Sequence, residues 1–389
     1  MYYEAISADN HFNEPGDVFL PRVPAKYKDR APRIVPTPDG GENWLWEGQG
    51  PKQGFGLASA VWARGRPRGP RDYIFSGLKL AEVAPGSWDS KAAIEEMKKD
   101  GVDAAVYYPS LGTNLFGITD KEFRLILFRA YNDWQLDWCS RDPNRLVTMA
   151  LLPVAEETPA EAVAEIGRCL KMGFKAVQVP CYPTRRFWDR WWDPIFAAAE
   201  EANVSVNFHK GVGAAPTFGT FGNREGPGMW FSGQVQSDFM YSQPIGDFLF
   251  GQVFERYPKL KIVSGEGRIG WLIHWVQRAD ESYHRHRYWT NYTLSKLPSE
   301  ILKSNVYSTF IEDRMGVLMR EYIGVDNNMW SSDYPHSDST WPNSRQKIEV
   351  QFAGVPEGDK RKMLALNAAG LYHLPADEFM KAKTKAGSR

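Results

Sequence analysis

Apolar and polar positions along this chain fall into a repeated unit: a short continuous apolar run, a stretch of helical period, then another run. Strands are predicted at 3–8, 102–108, 146–154, 174–179, 204–208, 261–264, 306–310 and 328–332. Helices are predicted at 91–99, 121–140, 158–173, 194–203, 248–257, 270–285, 315–323, after Asn343 and at 360–371. The helix opening at Thr158 carries its own punctuation, with Pro159 in the first turn, Glu161 at the capping-box position and Gly173 as the stop. Apolar strands alternating with helices imply a parallel sheet covered on both faces. Eight such units predict an α/β fold of the (β/α)8 barrel type, which places catalytic groups at the C-terminal ends of strands.

Two stretches interrupt the rhythm. Residues 13–86 are rich in Pro and Gly and come after strand one as a long insertion. A loop of that length is expected to be a lid, a binding loop or a small subdomain. Residues 210–235 read as a second long Gly-rich loop. The expected organisation is one barrel domain over 1–376 and a polar tail at 377–389.

Composition narrows the function. Lys+Arg and Asp+Glu are both 47 in 389 residues, so no global field draws in nucleic acid or an acidic membrane. No segment reaches the ~18 apolar residues of a membrane span, and the N-terminus has no basic region followed by an apolar one. Three cysteines, Cys139, Cys169 and Cys181, lack metal-site spacing, which points to a reducing, cytoplasmic setting without disulfides. Aromatics are unusually frequent at 14%, with 15 Trp. Many are expected to line or cover a pocket, beside those that fill the core. The expected partners are a small-molecule substrate and a second copy of the chain.

The chemistry lies in the residues at and just past the strand ends. Strand one runs into Asp9 and His11, strand five into His209, strand six into Glu266, and strand eight into Asp333 with His336 just beyond. Glu312 and Asp313 come after strand seven. Residues i and i+2 of a strand share a face, so Asp9 and His11 can grip one ion together. With His209 and a carboxylate they form a mixed nitrogen and oxygen site suited to Zn, Mn or Fe. A metal there lowers the pKa of bound water toward about 7. Asp333 would take that proton and return it to the leaving group, and His336 would orient the substrate or steady an oxyanion. The first expectation is therefore a metal-dependent hydrolase of an amide, ester, lactone or thioester of a small organic acid. The alternative is a non-oxidative decarboxylase of an aromatic or unsaturated acid on the same site. A binding protein that kept the barrel without activity stands behind both.

Three other motifs compete and are discounted. Gly265-Glu266-Gly267-Arg268-Ile269-Gly270 matches the dinucleotide fingerprint G-x-G-x-x-G. It belongs to the sixth unit, however, and would aim the Glu266 carboxylate at a pyrophosphate. His284-Arg285-His286 sits at the polar end of a helix and reads as solvated. The Arg- and Trp-rich run 184–194 fits a loop at the barrel mouth that binds substrate rather than bases.

Three runs resemble one family. Asp9-Asn10-His11-Phe12-Asn13-Glu14-Pro15, residues 254–263 (Phe-Glu-Arg-Tyr-Pro-Lys-Leu-Lys-Ile-Val) and the run from Trp330 to Pro342 resemble the amidohydrolase-related (amidohydrolase 2) proteins. That group includes aminocarboxymuconate-semialdehyde decarboxylase and the resorcylate-type decarboxylases. The resemblance implies a distorted (β/α)8 barrel and a divalent metal. It matches Asp9 and His11 to the strand-one ligand pair, His209 to the strand-five ligand and Asp333 to the strand-eight acid. The family's strand-six His is missing; Glu266 stands there instead, as ligand or substrate contact. Dinuclear relatives carry a carboxylated Lys after strand four. Val179-Pro180-Cys181 in its place favours one metal, unless Glu266 bridges two.

Overall fold

A computed structural model describes residues 3–47, 50–154, 158–210 and 227–375. Its centre is a ring of eight parallel strands: β1 (Ile6–His11), β2 (Ala104–Tyr108), β3 (Leu146–Thr148 and Ala150–Leu151), β4 (Ala176–Gln178), β5 (Ser205–His209), β6 (Ile262–Gly265), β7 (Val306–Phe310) and β8 (Asn328–Trp330). Each pairs with the next in chain order. β3 is interrupted at Met149, so that its first piece pairs with β2 and its second with β4. The seam between β8 and β1 is joined just past the end of β8. Asp333 N donates to Asp9 O at 2.9 Å and His11 N to Tyr334 O at 2.8 Å.

Side chains along the strands alternate between two cores. Ile6, Ala8, Ala104, Val106, Tyr108, Val147, Met149, Ala176, Val263 and Met329 form one cluster inside the ring. Ala365, Ala368, Tyr372 and Leu374 join that cluster from the C-terminal segment. The intervening residues, among them Tyr107, Val177, Val206, Phe208, Ile262 and Trp330, pack outward in the larger cluster shared with the helices. A period of two with both faces buried is what a filled barrel interior inside a helical shell requires.

Capping sets the helix limits. Asp89 accepts from Ala92 N at 2.7 Å to start Ser90–Asp100, and Gly101 ends that helix at φ 72°. Asp120 starts Lys121–Cys139 in the same way, and Gly173 ends Ala160–Met172 at φ 107°. Periodicity misleads at two helices. The segment 248–257 is not one helix but the end of Ser242–Phe250 followed by Val253–Arg256. Between them, Gly251 abuts Trp188 so closely that a Cβ would sit 2.2 Å from that of Trp188, and Gln252 turns left-handed at φ 57°. The segment 315–323 is likewise split at Met319 into Arg314–Leu318 and Arg320–Ile323. Pro298–Asn305 is a helix that the pattern did not reveal, and Pro227–Ser237 is helical within the stretch read as loop.

The insertion folds as two small hairpins, Arg33–Pro36 with Glu42–Leu45 and Trp62–Ala63 with Arg66–Pro67, around buried Trp44, Phe55 and Val61. Asn13 Nδ2 donates to Ala58 O at 3.2 Å and Val61 N to Pro335 O at 3.4 Å, which ties the insertion to the segments after β1 and β8. The tail at 377–389 and residues 211–226 of the second loop lie outside the described residues. No described helix is long and apolar enough to cross a membrane. The three cysteines are buried and unpaired.

Candidate active site

The six side chains singled out at strand ends meet at the C-terminal mouth of the barrel. His11 Nε2 lies 3.3 Å from Asp9 Oδ1 and 3.5 Å from Asp333 Oδ1. His209 Nε2 lies 3.5 Å from Asp9 Oδ2 and 3.6 Å from Glu266 Oε2. His336 Nδ1 lies 3.0 Å from Asp333 Oδ1, and its ring stacks on that of His11 with centroids 4.0 Å apart. Ligating atoms of Asp9, His11 and His209 fall within 4.8 Å of one another, and so do those of His11, Glu266, Asp333 and His336.

Backbone geometry holds these groups inward. Thr309 Oγ1, on β7, accepts from Glu266 N at 2.6 Å and donates to Asp9 Oδ2 at 3.1 Å. Glu266 and Asp333 both turn left-handed, at φ 56° and 54°. For residues with a Cβ that conformation costs on the order of 1–3 kcal/mol and persists where the surroundings enforce it. His209 Nδ1 lies 3.0 Å from the Lys210 carbonyl oxygen, where the ring must donate. The neutral ring then turns the lone pair of Nε2 to the cluster. On β1, Ser7 and Ser332 hydroxyls bond Asn10 Oδ1 at 2.6 and 2.8 Å, fixing the strand between Asp9 and His11.

Five buried atoms of the cluster, Asp9 Oδ1, His11 Nε2, His209 Nε2 and both carboxylate oxygens of Asp333, have no hydrogen-bond partner. Each such group costs free energy unless something else satisfies it. Imidazole nitrogens and carboxylate oxygens converging without internal partners fit a divalent cation. The charges respond to the crowding. Burial raises the Asp333 carboxyl to about 7, with Glu266 and Asp9 adding to the rise against the pull of His336. Burial and the neighbouring His336 lower His11 to about 3. Burial also opposes a charge on His209, yet Asp9 and Glu266 raise it to about 9. Asp9 is held well below the usual carboxylate range, despite burial, by His209 and His11.

Above the cluster opens a cavity of about 350 Å³ whose walls include Leu57, Ala58, Pro109, Ser110, Leu111 and Lys210. The insertion thus contributes to the pocket of its own chain. The tryptophans do not: among the described residues none lines the cavity. Trp44, Trp134, Trp192 and Trp330 are buried in the core instead. The Arg- and Trp-rich run also departs from its expected place. Arg186 binds Asp247, Trp192 Nε1 donates to Arg185 O at 3.0 Å, and Phe187 and Trp192 pack inward, so the run braces the helix Ser242–Phe250.

The G-x-G-x-x-G helix start is filled by the protein itself. Asp313 Oδ2 accepts from Ile269 N and Gly270 N, both at 2.7 Å, where a pyrophosphate would otherwise bind. Glu312 pairs with Lys347 on the surface at 3.0 Å. His284 and His286 are exposed.

Sequence reasoning passed over two groups that shape the site. Lys210 is buried against Glu266, and a cation directly after a strand-end histidine was a readable signal. Glu14 is buried in the same region, accepting from Ser110, Leu111 and Gly112 N at 2.9–3.1 Å and from Tyr131 OH at 2.7 Å. It anchors the loop after β2 that forms one pocket wall. Its donors lie about a hundred residues away, beyond the reach of any local pattern.

A family model described as Amidohydrolase matches residues 38–374. A 2-amino-3-carboxymuconate-6-semialdehyde decarboxylase of Dictyostelium discoideum is 25% identical over 197 residues, which are 50% of this chain and 52% of that protein. The chain thus matches about half the length of this curated relative. An amidohydrolase from Mycobacterium avium subsp. paratuberculosis K-10 superposes with a TM-score of 0.75 at 23% identity, covering 96% of this chain and 100% of the other. A 5-carboxyvanillate decarboxylase from Novosphingobium aromaticivorans, solved with manganese and 3-methoxy-4-hydroxy-5-nitrobenzoic acid, gives 0.66 at 19% identity over 96% and 97%. These comparisons correct the expectation of hydrolysis. The curated relative and several of the similar solved structures are decarboxylases, and a metal beside an acid serves either reaction, so strand-end residues could not separate the two.

Proposed function

The chain belongs to the amidohydrolase family of enzymes, and from that premise we propose that it is a metal-dependent, non-oxidative decarboxylase of a small aromatic or unsaturated carboxylic acid. The observation that carries the reading is the convergence of unpartnered buried donor atoms from β1, β5 and the end of β8 under an apolar-walled cavity. The decarboxylase relatives support the choice of reaction.

In this reading Asp9, His11, His209 and Asp333 hold one divalent ion, with Glu266 beside them; manganese, seen in the carboxyvanillate decarboxylase, is the first candidate. The ion would supply positive charge for the substrate's carboxylate and for charge that builds on the substrate as the carbon–carbon bond breaks. The chain supplies the rest. Leu57, Ala58, Pro109 and Leu111 hold the apolar body of the substrate and keep water away. His336 Nδ1 stands 3.0 Å from Asp333 Oδ1, and this pair would carry the proton that the reaction needs. The acid loses carbon dioxide, the bonding electron pair stays on its carbon, and this proton replaces the lost carboxylate there. Solvent recharges the pair through His336, which is partly exposed at 22%.

The test is Asp333→Asn in manganese-loaded protein, assayed on a panel of 2-hydroxybenzoates and unsaturated acids for carbon dioxide release. A loss of roughly 10²–10⁴-fold is expected from removing the proton carrier. Turnover undiminished in this variant would overturn the assignment of Asp333.

A further inference from the structure

Glu266 stands in an ion pair that metal binding does not require. Lys210 Nζ lies 2.5 Å from Glu266 Oε1, while Glu266 Oε2 lies 3.6 Å from His209 Nε2. Both side chains are largely buried, at 3% and 11% exposure. Their backbones are clamped as well. Lys210 N donates to Tyr241 OH at 2.7 Å, and Tyr241 OH donates to Gly265 O, so one buried phenol staples the ends of β5 and β6 where the pair meets.

A buried ion pair is a poor source of stability, because desolvating two charges offsets most of their attraction. Its effect on the charge of the cluster is large. Asp9, Glu266 and Asp333 bring three carboxylates to the convergence point, and Lys210 brings one ammonium. With neutral imidazoles these four groups sum to two negative charges, which a single divalent ion neutralises. Without the ammonium an excess negative charge remains, and Glu266 regains its second oxygen.

We propose that Lys210 holds this site to one divalent ion, by occupying Glu266 Oε1 and by balancing the third carboxylate. The inference rests on the metal reading above and goes beyond it in assigning what sets the ion count. It is tested by manganese binding, measured by equilibrium dialysis and elemental mass spectrometry on wild type, Lys210→Met, Lys210→Arg and Lys210→Met/Glu266→Gln. Wild type and Lys210→Arg are expected to saturate at one ion. Lys210→Met is expected to take up a second, and to bind its first on the order of tenfold or more tightly, as removal of a nearby positive charge dictates. The double variant, with the third carboxylate neutralised, is expected to return to one. If Lys210→Met does not fold, Lys210→Gln carries the same expectation. A charge-removing variant that still saturates at one ion overturns the role of Lys210 and leaves the metal reading standing; wild type that binds no manganese overturns both.

Discussion

Glu14 illustrates how a single carboxylate supports a site it does not touch. Replacing it by Ala strips the partner from three backbone N–H groups and a buried phenol. Each unsatisfied buried donor is costly, and the total loss is expected to be roughly 3 kcal/mol or more in denaturant unfolding. Equal stability of Glu14→Ala and wild type would show that the loop after β2 is held by other contacts. The titrating groups give a second expectation. In the metal-free protein Asp333 binds a proton below about 7 and His209 below about 9. Both must lose it to ligate, so metal affinity should rise with pH: by up to two protons' worth below about 7, by one up to about 9, and no further beyond. Calorimetry of manganese binding in buffers of different ionisation enthalpy reads those protons directly. An affinity flat between pH 6 and 8 would contradict the assigned ligands. Asp9, His11, His209, Glu266, Asp333 and His336 were legible because each lies at or a few residues past the end of an apolar run, a local signal. Lys210 was passed over although it directly succeeds His209, and Glu14 because its partners lie on another loop and helix.

At the scale of elements, Asp313 starts two helices at once. It accepts from Ile269 N and Gly270 N at the head of Gly270–His286, and from Gly316 N at 3.0 Å in Arg314–Leu318. Asp313→Ala is therefore expected to cost about 2 kcal/mol of stability, at the upper end for a helix cap. Added dinucleotide should neither bind nor rescue it. Rescue by dinucleotide would revive the nucleotide reading of this glycine-rich turn. The strands were readable from their continuous apolar runs, since burial on both faces leaves no polar alternation to confuse them. Helix boundaries failed at Gly251, where Trp188 overrides a periodicity that would otherwise continue, and at Met319. Pro298–Asn305 escaped because eight residues give too few turns for a helical period to stand out.

At the scale of the whole molecule, the barrel gathers like charges that repel one another, and an ion binding there couples to global stability. Metal that binds the folded chain at a hundredfold excess over its dissociation constant adds about 2.7 kcal/mol. Chelation should therefore lower the midpoint of thermal unfolding by a few degrees, and manganese should restore it. A midpoint indifferent to both would place the ion outside the fold. The overall architecture was accessible from sequence because eight similar units repeat it. The reaction was not, because hydrolysis and decarboxylation draw on the same strand-end residues and differ in the substrate that the pocket admits. The most direct measurement of the central claim is turnover of the carboxylic acid panel by manganese-loaded protein in deuterium oxide, monitored by mass spectrometry and NMR. The account predicts carbon dioxide release with one deuterium on the carbon that bore the carboxylate, lost on chelation. A product that keeps its carboxylate and takes up no deuterium on carbon would contradict it.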